Sequence, residues 1–127
     1  RGWQEAYYSL TLVEKALKAA PALAAHSRAA EMWGAVGDLL LHRHLWVRKA
    51  SGRLLGNCFA LAQAEDTPAA EGAMLYLSGE GRLRVLANDM CSQLEARGMD
   101  DALGAQLVKN LVFVVAEMYD LEAAEAE

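Results

Sequence analysis

Leu45-Trp46-Val47-Arg48-Lys49-Ala50-Ser51-Gly52-Arg53-Leu54-Leu55-Gly56 is the stretch on which the fold turns. Val47, Ala50, Leu54, Cys58 and Leu61 recur at the spacing of one helical face. Arg48, Gly52, Leu55 and Phe59 make a second row beside it. A helix with two apolar rows and small residues between them is built to touch neighbours on more than one side. The stretch reads as the second helix of a helical hairpin, spanning about 45–63. Lys49, Arg53 and Gly56 share a further face that points to solvent or to an anionic partner. Arg48 lies on the row of Gly52 and Leu55, so it is expected half-buried, its guanidinium tied to backbone carbonyls or a carboxylate.

Working outward, the pattern predicts further helices over about 3–20, 29–41, 82–96 and 101–122. In the first, Trp3, Tyr7, Leu10, Val13 and Leu17 form a buried stripe, and Pro21 ends it. Trp3, Tyr7 and Tyr8 have the composition of a base-stacking platform, but at helical spacing they read as core. In the second, Met32, Val36, Leu39 and Leu40 point inward with Trp33 on an adjoining row, while Gly34 and Gly37 imply a close neighbouring backbone. His42-Arg43-His44 is a polar junction. Two histidines at that spacing raise a metal site, but about four ligands are needed and too few carboxylates or thiols lie near. Asp66, Thr67, Pro68, Gly72, Gly79 and Gly81 punctuate 65–81, which reads as a loop with a short turn at Met74–Leu77.

The helix over 82–96 turns Leu83, Leu86, Met90, Cys91 and Leu94 inward, and Arg97-Gly98 ends it. Asp100 or Asp101 caps the last helix. There Leu103, Leu107, Leu111, Val114, Val115, Met118 and Leu121 make a wide stripe. Leu111-Val112-Phe113-Val114-Val115 is apolar all round, which predicts a helix covered on both faces. Asn110 is a poor mid-helix residue unless its amide bonds something, and an inter-helix bond is preferred to a partner contact.

At 127 residues the chain suits one domain, and 54% apolar against 23% charged residues is the balance of a folded protein. Its net charge of −5 hides an asymmetry. Residues 1–60 hold eight Lys/Arg against four Asp/Glu, net +4; residues 61–127 hold four against thirteen, net −9. The acidic total argues against a freestanding nucleic-acid binder. Cys58 and Cys91 read as small core residues. No apolar run approaches the ~20 residues a bilayer needs. No P-loop, GxSxG, HExxH or dinucleotide fingerprint occurs, no Ser or Cys partner stands out for His26, His42 or His44, and the residues predict no enzyme, cofactor or small-molecule substrate. The start at Arg1-Gly2-Trp3 reads as a piece of a longer intracellular chain.

The helix Ala29–Leu41, the junction and Trp46-Val47-Arg48 resemble a HEAT repeat, whose second helix carries Val-Arg, small residues and Leu-Gly, here Val47-Arg48, Ala50 and Leu55-Gly56. His42 stands where that family commonly has aspartate. The expected fold is therefore all-α, an α-solenoid of HEAT/armadillo-like hairpins. Three stretches are similar to a narrower family: Trp3-Gln4-Glu5-Ala6-Tyr7-Tyr8-Ser9-Leu10, Leu45–Gly56, and Gln106-Leu107-Val108-Lys109-Asn110-Leu111-Val112-Phe113. They resemble the C-terminal region of the HEAT-repeat U-three small nucleolar RNA-associated protein twenty family, also called down-regulated in metastasis. The resemblance implies a single helical-repeat segment (1–127) of a much larger solenoid. It also implies a non-catalytic nucleolar scaffold of the small-subunit processome in 18S rRNA maturation, meeting other pre-ribosomal proteins, with pre-rRNA or snoRNA as a candidate contact. Arg43, Lys49 and Arg53 are the expected anionic contacts; Trp46, Arg48, Gly52, Gly56, Lys109 and Asn110 are the structural signature. A HEAT-type protein-binding adaptor in transport or trafficking is the alternative. Neither reading calls for a membrane partner.

Overall fold

The computed structural model describes residues 2–64, 66–96 and 99–126. Among these it contains six α-helices and no strand. They are α1 (Trp3–Ala19), α2 (Ala29–Gly37), α3 (Leu45–Ala62), α4 (Pro68–Leu77), α5 (Arg82–Leu94) and α6 (Asp101–Ala126), with a 3₁₀ turn at Pro21–Ala25. The helices form two layers. In one, α3 lies between α1 and α6; in the other, α4 lies between α2 and α5. Across the layers, α3 rests on α2 and α4, α6 on α5, and α1 on the Pro21–Ala25 turn.

The middle position of α3 follows from its two rows. Val47, Ala50, Leu54, Leu55 and Cys58 are all fully buried. Burying a Val or Leu contributes about 1.5–3 kcal/mol, so this one helix anchors much of the core. Ser51 Oγ donates to the Val36 carbonyl at 2.8 Å, which ties α3 to the end of α2. His44 starts α3: its Nδ1 accepts from the Trp46 N–H at 3.1 Å. His42 Nδ1 accepts in the same way from the His44 N–H at 3.0 Å. Both imidazoles are thus used as local caps, in the manner of Asn or Asp. Arg48 Nη1 donates to the carbonyls of His42 at 3.1 Å and Arg43 at 2.8 Å. The buried guanidinium closes the junction from within the α2–α3 hairpin.

The stretch expected as a loop, which the structure describes from residue 66 to 81, is largely helical. Residues 68–77 form α4, which buries Ala70, Ala73, Tyr76 and Leu77. The punctuation at its head is a helix start: Thr67 Oγ1 accepts from the Ala70 N–H at 3.0 Å, and Pro68 fills the first turn, where a missing N–H does no harm. Tyr76 explains Gly37 of α2, whereas a Cβ at Gly34 would meet it only in ordinary contact. A Cβ on Gly37 would overlap the Tyr76 hydroxyl, so it is a side chain of α4, not a backbone, that comes close there. Gly81 begins α5 with φ of 72°, a left-handed conformation that glycine adopts without strain.

Other expectations change too. The second helix ends at Gly37, and turns carry the chain on to a fully buried Leu40. Trp33 is fully buried. On α5, Leu86 and Met90 are buried, but Cys91 and Leu94 are exposed and Gln93 takes the inward position. Arg97 and Gly98, the expected helix end, lie outside the described residues.

The largest correction concerns α6. One face, carrying Leu103, Leu107, Asn110 and Val114, packs on α3 and α5. The opposite face, with Val108 (55% exposed), Val112 (64%), Val115 (53%) and Tyr119 (73%), is open. By length and apolar composition α6 is long enough to cross a bilayer. That composition divides into one packed stripe and one unpacked stripe around Lys109 and the bonded Asn110.

Candidate functional site

The outward ridge of α3 carries Trp46, Lys49, Arg53, Asn57 and Ala60, about one turn apart, on the side away from α2 and α4. A cleft runs along each flank of this ridge. The smaller, about 180 Å³, lies between α1 and α3 and is lined by Tyr7, Trp46, Lys49 and Arg53. The larger, about 620 Å³, lies between α3 and α6. Arg53 lines both.

At the head of the ridge, Trp3 and Tyr7 are half-buried and pack against the edge of the core. Trp3 stacks on His44, with ring centres 3.7 Å apart and planes 14° from parallel. Trp46 stands edge-on to Trp3 at 5.3 Å and tilted to Tyr7 at 5.6 Å. Trp46 is 52% exposed and Tyr8 66%. The expectation that Trp3, Tyr7 and Tyr8 form core therefore fails for Tyr8, which is exposed, while Trp3 and Tyr7 sit half-buried against the edge of the core. The first helix buries Leu10, while its aromatic end meets the His44–Trp46 corner at the surface.

The cations next along the ridge each hold a carboxylate from another helix or its cap. Arg53 grips Glu14 of α1 with Nε at 3.1 Å and Nη2 at 2.9 Å, a two-point geometry that pushes the guanidinium pKa further up. Lys49 Nζ lies 2.9 Å from Asp100 Oδ2. Asp100 is also the cap of α6, accepting from the Leu103 N–H at 2.8 Å. That backbone bond first, and Lys49 second, hold its carboxyl below the usual range. The ridge is thereby fixed to α1 on one side and to the head of α6 on the other. Arg43 is exposed at the junction and lines neither cleft.

The larger cleft has a floor made by Phe59 and Phe113, stacked at 4.4 Å and 13°. Asn57 and Gln63 stand on the α3 side, Gln106 and Lys109 on the α6 side. Asn110 secures the floor. Its Nδ2 donates to the Gly52 carbonyl at 3.0 Å, and its Oδ1 accepts from Gln106 Nε2 at 3.0 Å. Gly52 and Gly56 make room: a Cβ on Gly56 would come 2.7 Å from Gln106 Nε2 and 3.4 Å from Asn110 Oδ1. The structure thus brings Trp46, Lys49 and Arg53 to one cleft and Arg53, Gly56, Lys109 and Asn110 to the other. Sequence reasoning missed Asn57, Gln63 and Gln106, whose polar spacing alone does not separate a cleft wall from ordinary solvent exposure.

Cys58 and Tyr76, pushed up to about 12 by burial, lie in the core and line neither cleft. Among the described residues no group of three His, Cys, Asp or Glu side chains is placed to hold a metal ion. The chemistry on offer is stacking, charge and amide hydrogen bonding.

The described residues form an all-helical fold whose α1–α3–α6 face carries two clefts. The chain is similar to the U3 small nucleolar RNA-associated protein 20 of Schizosaccharomyces pombe, with 26% identity over 116 residues. The similarity covers 88% of this chain and 4% of that relative's length. No protein-family model matches the sequence, and no solved structure matches the chain.

Proposed function

We propose that this chain is a non-catalytic segment of a long α-solenoid that serves as a scaffold in the small-subunit processome, where 18S rRNA is matured in the nucleolus. The observation that carries the reading is the unequal coverage of the two long helices. Helix α3 is packed on both flanks by α1 and α6, whereas α6 is packed on α3 and α5 and leaves Val115 and Tyr119 open, with Val108 and Val112 exposed at the rim of the α3–α6 cleft. An exposed stripe of this kind marks a surface that meets another surface. Its place at the end of the row α1–α3–α6 suits one more helical hairpin stacked in the same sense, as in repeat proteins whose units contact only their neighbours. The similarity to a relative many times longer, named for association with U3 small nucleolar RNA, supports the same reading.

In this role the stack holds pre-ribosomal proteins in place. The test is sedimentation of the tagged full-length protein from nuclear extract. Movement with pre-ribosomal particles that is abolished by ribonuclease agrees with the proposal. Co-sedimentation only with soluble transport factors, indifferent to ribonuclease, would replace it with an adaptor function.

A further inference from the structure

We infer that the α1–α3–α6 face takes a single strand of RNA, with one base seated against Trp46 and Tyr7 and phosphates lying along Lys49, Arg53 and Lys109. The inference rests on the scaffold reading only for the source of the RNA; the binding chemistry stands on the clefts themselves.

The first ground is charge placement. The chain carries a net −5, yet among the described residues no carboxylate lines either cleft, while three cations do. Glu14 and Asp100 reach Arg53 and Lys49 from outside the linings and leave donors free. Arg53 uses Nε and Nη2 on Glu14, so Nη1 stands outside that pair. The Lys49 ammonium has three donors and gives one to Asp100. Lys109 is exposed on the far wall of the larger cleft.

The second ground is the rings. Trp46 is half-exposed, held edge-on by Trp3 and with Tyr7 tilted against it, and lines a cleft only about 180 Å³ in volume beside two cations. Aromatic faces next to cations are how single strands are bound without reading a duplex, one π-face for each base and one cation for each phosphate. An acidic peptide would use the cations and leave the rings idle. The third ground is the amides. Asn57, Gln63 and Gln106 offer donors and acceptors that suit base edges and ribose hydroxyls. From Trp46 to Gln63 the ridge runs about 25 Å at 1.5 Å per residue, enough for several nucleotides.

The experiment is fluorescence anisotropy with the 127-residue chain and three probes: oligouridylate, an abasic ribose-phosphate strand of the same length, and oligoglutamate. The expected result is RNA binding that weakens with salt at a log–log slope of about −2, as three phosphate contacts on a single strand require. Trp46→Ala should weaken RNA binding about tenfold or more, Trp46→Phe should recover most of it, and the abasic strand should bind about tenfold weaker and be indifferent to either change. Lys109→Glu, at an exposed position, should weaken both strands and flatten the slope. Circular dichroism checks that each variant is folded. Equal binding of abasic strand and RNA, equal binding of oligoglutamate, or no binding of RNA at low salt overturns the inference. Sedimentation of the full-length protein bearing Trp46→Ala separates the two proposals. Particle association with no RNA binding by the purified chain leaves the scaffold standing and removes this site. RNA binding without particle association does the reverse.

Discussion

Asn110→Asp is a one-atom change with a pH signature. Asn110 is 2% exposed and donates through Nδ2 to the Gly52 carbonyl at 3.0 Å. An ionised Asp would set oxygen against oxygen at that distance and bury a charge with no cation against it. Removing a partner so that a buried charge is uncompensated costs about 3–5 kcal/mol, a third or more of the total stability of many domains. The carboxyl escapes by holding a proton, which restores a donor toward Gly52. Its folded-state pKa is then raised above the unfolded value of about 3.9, so the folded chain binds the extra proton. Stability is retained below that value and lost as pH rises through the folded pKa. Urea denaturation followed by circular dichroism, at pH 4 and pH 7 beside the wild type and Asn110→Ala, is the assay. At pH 4 the Asp variant should fall within about 1 kcal/mol of wild type, as expected for one altered hydrogen bond. At pH 7 it should be the worst of the three, while Asn110→Ala should lose about 1–2 kcal/mol at both values. An Asp variant whose deficit is the same at both pH values would refute the bond between α6 and α3.

The other predictions concern the core and the helix ends. Gly37→Ala should lose about 1–3 kcal/mol through overlap with the Tyr76 hydroxyl, and Tyr76→Phe, which removes a buried hydroxyl without a hydrogen-bond partner among the described residues, should be near neutral alone and relieve most of that loss in the double variant; thermal melts of all three decide. Gln93 is 1% exposed with neither amide atom bonded among the described residues, so Gln93→Met should raise stability by about 1 kcal/mol, read by urea midpoint. Because the Leu103 N–H and Lys49 hold the Asp100 pKa down, its contribution is present above the ordinary carboxylate range and fades as pH falls through the folded value. Asp100→Asn should therefore flatten the acid limb of the stability curve, and an unchanged limb would count against this cap. In a thiol-labelling time course, exposed Cys91 should react promptly, while Cys58, fully buried and pushed up to about 12, should react only at the rate of unfolding.

The long helices were legible because large apolar residues repeat along them, as in α3. Helix α4 was not, since its inward positions include Ala70 and Ala73, and its start signal, Thr67-Pro68, has the same letters as a chain break. On α5 the inward position belongs to Gln93, between two residues, Cys91 and Leu94, that look more apolar. An apolar count could not choose it. The cations of the ridge were visible, but their carboxylates lie 39 residues away in Glu14 and 51 residues away in Asp100. The stretch Leu111–Val115 of α6 reads apolar all round, and only packing reveals which side is covered. Asn110 stood out because an amide in mid-helix needs a partner, and the partner is the Gly52 carbonyl.

Sedimentation of the full-length protein with Val115→Glu and Tyr119→Glu together puts the stacked-scaffold reading to the test. Both positions are more than half exposed, so circular dichroism of the 127-residue chain should show no loss of helix. The wild type should travel with ribonuclease-sensitive pre-ribosomal particles containing U3 RNA, and the double variant should remain near the top of the gradient. A double variant that enters those particles as fully as the wild type would contradict the reading.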